Sequence, residues 1–315
     1  MTQTRRILAI DGGGIKGTFP ASFLATIEEK LSRSIADYFD LIAGTSTGGI
    51  IALALGLGFS GREVLAFYET LGHEVFAGNR MLLFLRHVGF AKHNPEKLRK
   101  VLVEKFGYRK LGDSRKRLVI PSLNLENGDV HIFKTAHSAR FLMDSQESAV
   151  HVAMATAAAP TYFPAHRISA GSPLVDGGTW ANNPTALAVV EAVGTLGWER
   201  QDLRILSLGC TMSSLDVRYG RRYGLGWLYW ADKVVEVFMA GQSSGSLGTA
   251  AVLAGPEHVF RYSPNVPAKR FGLDVTAEIE SLKGLGFTEA RKALPAIKQV
   301  FFAKPAEPFV PYTPA

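Results

Sequence analysis

Near its start the chain has a strand-like run at residues 6–10, apolar from Ile7 on, then a glycine-rich stretch, then a segment in which Phe19, Phe23, Leu24, Ile27 and Leu31 recur at helical spacing. That order predicts a strand, a loop and a helix over 19–31. The unit repeats. Residues 41–43 read as a short buried strand and 50–57 as a buried helix, with a glycine-flanked corner between them. Ser60 and Glu63 form a capping box that opens a further helix. Asn94, Pro95 and Gly107 bracket a basic amphipathic helix, with a cap before it, proline at its first position and glycine beyond its end. Residues 118–125 and 130–134 flank Asn127-Gly128, a hairpin signal. The alanine-rich run 148–159 predicts a helix stopped by Pro160, residues 203–208 another buried strand, and 258–262 an alternating strand. Strand and helix alternate, so the expected class is α/β: a mostly parallel central sheet with helices on both faces. After Gly209 the pattern is less regular, with aromatic Trp227, Tyr229 and Trp230 and mainly helical character to 304. Residues 305–315 read as a loose, proline-containing tail.

Composition adds boundaries. The chain has 315 residues, 47% hydrophobic and 20% charged, enough for a single domain over 1–315. Its single cysteine, Cys210, excludes an internal disulfide and fits a reducing cytosol, where it packs at a strand end. The N-terminal residues run straight into a strand without a signal-peptide segment, so the expected location is cytoplasmic. Residues 41–61 carry no charge and are long enough to span a bilayer. They also hold six glycines and four hydroxyl residues, which suits a strand-turn-helix core better. The net charge of +7 is clustered at 92–110, at Arg115, Lys116 and Arg117, and at Arg218, Arg221 and Arg222. Such clusters attract anions, either phospholipid head groups or nucleotides. No motif supports nucleic-acid binding.

The chemistry sits at two corners and a loop. Gly44-Thr45-Ser46-Thr47-Gly48 lies between a strand and a helix, the context that exposes a serine nucleophile at the positive end of a helix. By composition alone this five-residue pattern arises in roughly one in five chains this long, so its context carries the weight. Asp11-Gly12-Gly13-Gly14 follows a strand and can offer bare backbone N–H groups to a phosphate or to an oxyanion. With Ser46 at the end of the next strand, the oxyanion is favoured. Asp176-Gly177-Gly178 ends another apolar run and is either a plain turn or the site of a base. In a Ser-Asp-His arrangement the histidine follows the acid, and only His258 of the eight histidines does so. An actin-like sugar kinase also reads strand, then Asp-Gly-Gly-Gly. Its usual Thr-Lys continuation is replaced here by Ile15-Lys16, and the other two motifs would be coincidences.

Taken together and in order, these three motifs resemble the patatin-like phospholipases over residues 7–209, with Gly17, Gly44, Gly48, Gly177 and Gly178 as supporting positions. The family loop often ends Arg-Gly, and Lys16-Gly17 keeps that charge. The resemblance implies a three-layer patatin-like fold and hydrolysis of phospholipid acyl esters without metal or cofactor. It further implies a Ser46–Asp176 dyad without histidine and an oxyanion hole at Gly12, Gly13 and Gly14. A carboxylate at its ordinary pKa is a feeble base for serine, and burial would strengthen it. Residues 37–58, 110–134 and 156–184 resemble a bacterial branch, the phospholipase effectors of cyclic-oligonucleotide antiphage signalling. That likeness implies action on the inner membrane face, a cyclic dinucleotide activator, a ligand-driven homo-oligomer, and Arg115, Arg117, Arg218, Arg221 and Arg222 as candidate nucleotide contacts.

Overall fold

A computed structural model describes residues 3–75, 91–213, 230, 234–267 and 270–313. Arg218, Arg221, Arg222, Trp227 and Tyr229 lie outside the described residues. Among the described residues the strands are β1 (Arg5–Ile10), β2 (Leu41–Gly44), β3 (Arg117–Asn124), β4 (Val130–Lys134), β5 (His166–Arg167), β6 (Pro173–Asp176), β7 (Leu203–Leu208), β8 (Met212–Ser213), β9 (Val259–Tyr262) and β10 (Asn265–Val266). The described helices of six or more residues are α1 (Thr18–Glu28), α2 (Thr47–Gly56), α3 (Gly61–Val75), α4 (Pro95–Phe106), α5 (Ala149–Thr156), α6 (Thr185–Val190), α7 (Val234–Ala254) and α8 (Ile279–Phe301).

The main sheet runs β5-β6-β3-β2-β1-β7-β9, with β4 also paired to β3. Strands β3, β2, β1, β7 and β9 are parallel, while β4, β5 and β6 form an antiparallel flank. The expected hairpin is β3–β4. Strand β1 alternates its side chains between two layers of core. Leu8 and Ile10 join a large cluster with α1 to α5 and α8, whereas Ile7 joins a smaller one with α6 and the end of α7. This gives the three layers expected of an α/β chain, with helices covering both faces of the sheet.

One feature of the pairing positions the chemistry. Strand β4 occupies one edge of β3 throughout, from Val119 to Leu123. The opposite edge is shared. Its first part pairs in parallel with β2 (Ala43 opposite Val119), and its second pairs antiparallel with β6 (Asp176 opposite Ser122). Strands β2 and β6 therefore point at each other, and their C-terminal ends meet near Ile120 and Pro121.

The uncharged stretch 41–61 becomes β2, a sharp corner and the fully buried α2. Among the described residues no helix is long and apolar enough to cross a membrane. Two helix ends differ from expectation. Helix α1 stops at Glu28 rather than at residue 31. Helix α5 stops at Thr156, ahead of Pro160: the next amides leave the helical ladder, Ala158 N donating to Ala155 O (3.3 Å) and Ala159 N to Ala157 O (2.8 Å), and the Ala158 carbonyl accepts from Asp176 N (3.1 Å). The tail expected to be loose is held at two points: Ala306 N donates to Asp37 O (2.8 Å) and Tyr312 N to Ala136 O (2.6 Å).

Candidate active site

Ser46 stands at the corner between β2 and α2 with φ 54° and ψ −120°, a strained conformation for a residue bearing a side chain. The flanking glycines make the corner sterically feasible. A Cβ on Gly44 would run into the Gly48 carbonyl, and one on Gly48 into the Ile10 carbonyl. Thr156 fixes the corner from below: its Oγ1 accepts from Ser46 N (3.0 Å) and donates to Pro121 O (2.7 Å). Because α2 begins at Thr47, Ser46 lies at the positive end of a buried helix.

Asp176 is the last residue of β6, and it faces Ser46 because the two strand ends abut. Ser46 Oγ donates to Asp176 Oδ2 at 2.6 Å. Gly178 N donates to Asp176 Oδ1, also at 2.6 Å. The turn after Asp176 is anchored by Trp180 Nε1 donating to Ser122 O (2.9 Å) and Thr45 Oγ1 donating to Ala181 O (2.6 Å). Burial pushes the Asp176 carboxyl up to about 6, although the Ser46 and Gly178 hydrogen bonds pull the other way. A base with that pKa is matched to work near neutral pH.

The glycine loop lies beside Ser46. Its first amide is engaged, since Gly12 N donates to Asn182 O (2.9 Å). This corrects the expectation that all three glycines face an oxyanion. Among the described residues, the Gly13 and Gly14 N–H groups donate to no protein acceptor, and both residues line the cavity that holds Ser46 and Asp176. The loop is held from behind by Asp11, whose carboxylate accepts from Arg261 Nη1 (2.8 Å) and Nη2 (2.6 Å). Burial alone would lower the Arg261 pKa, but the Asp11 carboxylate outweighs it and raises it, which keeps the guanidinium charged.

The cavity measures about 410 Å³, and its walls are mainly apolar. Along one side run Val235, Phe238, Met239 and Gln242 of α7, spaced as one helical stripe. Val235 and Phe238 are 61% and 70% exposed, so this side is the mouth. Ile50, Leu71, Leu98 and Phe163 line the cavity and are buried.

His258 does not join Ser46 and Asp176. It ends a helical turn just before β9, and its Nδ1 lies 2.6 Å from Ala254 O. Arg115 and Arg117 sit at the opposite end of the sheet from Ser46. Arg115 is exposed. Arg117 is half-buried, stacked on Trp198 (5.6 Å) and Phe309 (5.0 Å), and donates to Asp40 O (3.3 Å). Cys210 is buried against the glycine loop, its Sγ donating to Asp11 O (3.3 Å).

Sequence reasoning missed Arg261, Asn182 and Thr156. Arg261 had a signal: a lone charge within an alternating strand whose neighbours are Phe260 and Tyr262. Asn182 had a weaker one, an Asn-Asn-Pro run shortly after Asp176. Thr156 had none.

A family model described as patatin-like phospholipase matches residues 8–189. A protein of Pseudomonas aeruginosa named cGAMP-activated phospholipase is 37% identical over 246 residues, covering 76% of this chain and 73% of that protein. A namesake in Escherichia coli is 36% identical over 65% of this chain and 61% of its own, and another in Vibrio cholerae 33% identical over 65% and 63%. The match thus spans less than two thirds of the latter two relatives. The family model covers more than half of the chain and the strained serine corner, the facing aspartate and the glycine loop all fall within it: this chain belongs to the patatin-like phospholipases, hydrolases of lipid ester bonds.

Proposed function

We propose that this chain hydrolyses the acyl esters of membrane phospholipids through a Ser46–Asp176 dyad, and that a cyclic dinucleotide switches it on in antiviral defence. The observation that carries the catalytic reading is the 2.6 Å hydrogen bond from Ser46 Oγ to Asp176 Oδ2 in the wall of an apolar cavity. The acyl chain occupies the cavity with its ester carbonyl at Ser46. Asp176 takes the Ser46 proton as Oγ bonds to the carbonyl carbon. The oxyanion that forms is met by the open Gly13 and Gly14 N–H groups and by the positive end of α2. Collapse breaks the ester C–O bond, and the leaving alcohol recovers the proton from Asp176. Water then repeats the sequence on the acyl-serine: Asp176 takes a proton from it, the fatty acid departs, and Ser46 is restored.

The glycine loop supplies a direct check. Gly14 has φ +57°, and a Cβ there would meet the Leu273 carbonyl. Gly14→Ala is expected to displace an oxyanion donor and lower kcat by roughly a hundred- to a thousandfold, with a much smaller change in KM. Steady-state kinetics on a soluble ester reads both. An unchanged kcat with weakened binding would favour a ground-state phosphate site over an oxyanion hole.

Regulation is supported by the relatives named cGAMP-activated phospholipase and by the clustered charge. A phospholipase free in the cytosol would attack the inner face of its own membrane, so the resting state must be nearly inactive. Arginines hold phosphates through paired hydrogen bonds. Exposed Arg115, and Arg218, Arg221 and Arg222 outside the described residues, are the candidate contacts, whereas Arg117 is already engaged with Trp198, Phe309 and Asp40. Turning a mostly inactive population into a mostly active one requires the ligand to favour the active state by about 5 kcal/mol, and assembly of protomers is one way to supply it. The test is lipid hydrolysis on mixed phospholipid vesicles across a panel of cyclic di- and trinucleotides, with sizing in parallel. Hydrolysis and a larger particle are expected only with a cyclic dinucleotide. Full activity without nucleotide, and no change of size, would discard the switch and leave the hydrolase reading standing.

A further inference from the structure

Part of the wall of the catalytic cavity is one side chain thick. Beyond it lies a second cavity of about 170 Å³, lined by Met154, Ala158, Pro164, Ala165, Arg99 and His166 among others. Leu98 and Phe163 line both cavities, so these two side chains form the partition. Both are buried, at 3% and 8% exposure. Each is also held in place from outside the cavity. Leu98 sits on α4, whose first turn is fixed by Asn94 Oδ1 accepting from Glu96 N (3.0 Å). The Phe163 ring packs 5.6 Å from the ring of His93, and His93 Nε2 lies 2.9 Å from Asp274 Oδ2.

We infer that Leu98 and Phe163 set the upper limit of acyl-chain length, by stopping the methyl end of the chain at the partition. The inference rests on the ester-hydrolase reading above. The cavity linings support it: Val235 and Phe238 are exposed at the mouth, whereas Leu98 and Phe163 are buried and shared with the second cavity. An acyl chain esterified at Ser46 gains burial with every methylene that enters apolar walls, roughly fourfold in kcat/KM per group. The gain ends where the chain meets packed side chains, because a close-packed wall does not yield to one more methylene without strain. The second cavity offers the next space in line, and truncating the partition joins the two.

The experiment is a chain-length series of p-nitrophenyl esters, from butyrate to stearate, on wild type and on Leu98→Ala and Phe163→Val. The folded state of each protein is checked by circular dichroism. Wild type is expected to climb in kcat/KM with chain length and then break sharply. In either truncated variant the break moves to longer chains, and the long-to-short ratio of kcat/KM rises at least tenfold. A parallel arm measures displacement of a fluorescent fatty acid from Ser46→Ala by free fatty acids of the same lengths. It reads the cavity without turnover, and the same break is expected. A wild-type profile without a break, or a folded truncated variant with an unmoved break, overturns the inference. A break in fatty-acid binding with no ester turnover by wild type, either alone or with each member of the cyclic di- and trinucleotide panel, would overturn the hydrolase reading and leave the length limit intact.

Discussion

Ser46→Ala is expected to abolish ester hydrolysis while leaving the fold and lipid binding in place. The substitution removes only the atom that attacks. The corner survives, because its backbone is set by Gly44, Gly48 and the Thr156 bridge and not by Oγ. Loss of the nucleophile in a serine hydrolase costs on the order of a millionfold in kcat, since the covalent intermediate no longer forms on Ser46. A secondary effect follows at Asp176. The Ser46 hydrogen bond is one of the two that hold its pKa down, so the carboxyl should titrate higher in the variant. The measurements are product release from phospholipid and from a soluble ester, and a melting curve to establish folding. Turnover within tenfold of wild type in a folded Ser46→Ala protein would remove Ser46 from the mechanism.

Asp176→Asn is the second large effect, and it separates activity from stability. Activity should fall by about three to four orders of magnitude, because Asn cannot take the Ser46 proton. Wild-type kcat should rise with pH through about 6 and then level, following ionisation of Asp176. Stability moves in the opposite direction. The native carboxyl titrates near 6 against an ordinary value of 3.8, a raised pKa. Below about pH 4 the native and unfolded states both carry the proton, and Asp176 imposes no penalty. Between about 4 and 6 the native state binds more protons than the unfolded state, so stability falls as pH rises. The loss is complete above the native pKa and amounts to about 3 kcal/mol, two units at 1.36 kcal/mol each. Asp176→Asn should therefore match wild type in unfolding free energy near pH 4, exceed it increasingly through about pH 6 and by a constant amount above that, as read from urea denaturation. A difference that stays constant with pH would mean that Asp176 is not raised. His258→Ala, by contrast, should stay close to wild type in turnover. Loss comparable to Asp176→Asn would instead restore a histidine to the mechanism.

What the sequence made legible is what local chemistry dictates. A strand that turns at once into a helix needs small residues around the corner, so Gly44, Ser46 and Gly48 declare themselves within five positions. Asp176-Gly177-Gly178 and the glycine loop do so in the same way, and the family resemblance joined them into one site. The unread parts depend on pairing between distant segments. Gly12 looks like an oxyanion donor until its partner, the Asn182 carbonyl, arrives from another part of the chain. Arg261 reaches Asp11 across 250 positions, so neither residue announces the other. Arg117 reads as free charge because Trp198 and Phe309, which flank it, lie far away in sequence.

The end-to-end meeting of β2 and β6 against β3 gives the site a reading frame. Nucleophile and base are not joined by any short loop; their separation is counted out in residues of β3, from Val119 to Ser122. A strand advances roughly 3.3 Å per residue, so one codon inserted or deleted within those four positions would shift Asp176 by more than the whole 2.6 Å contact it must keep with Ser46. The same change at the exposed Asn127-Gly128 turn would alter only loop length. Length changes compatible with this site are thus limited by strand registry: the chain can gain or lose a residue at the hairpin tip but not a few residues away, where no catalytic side chain stands.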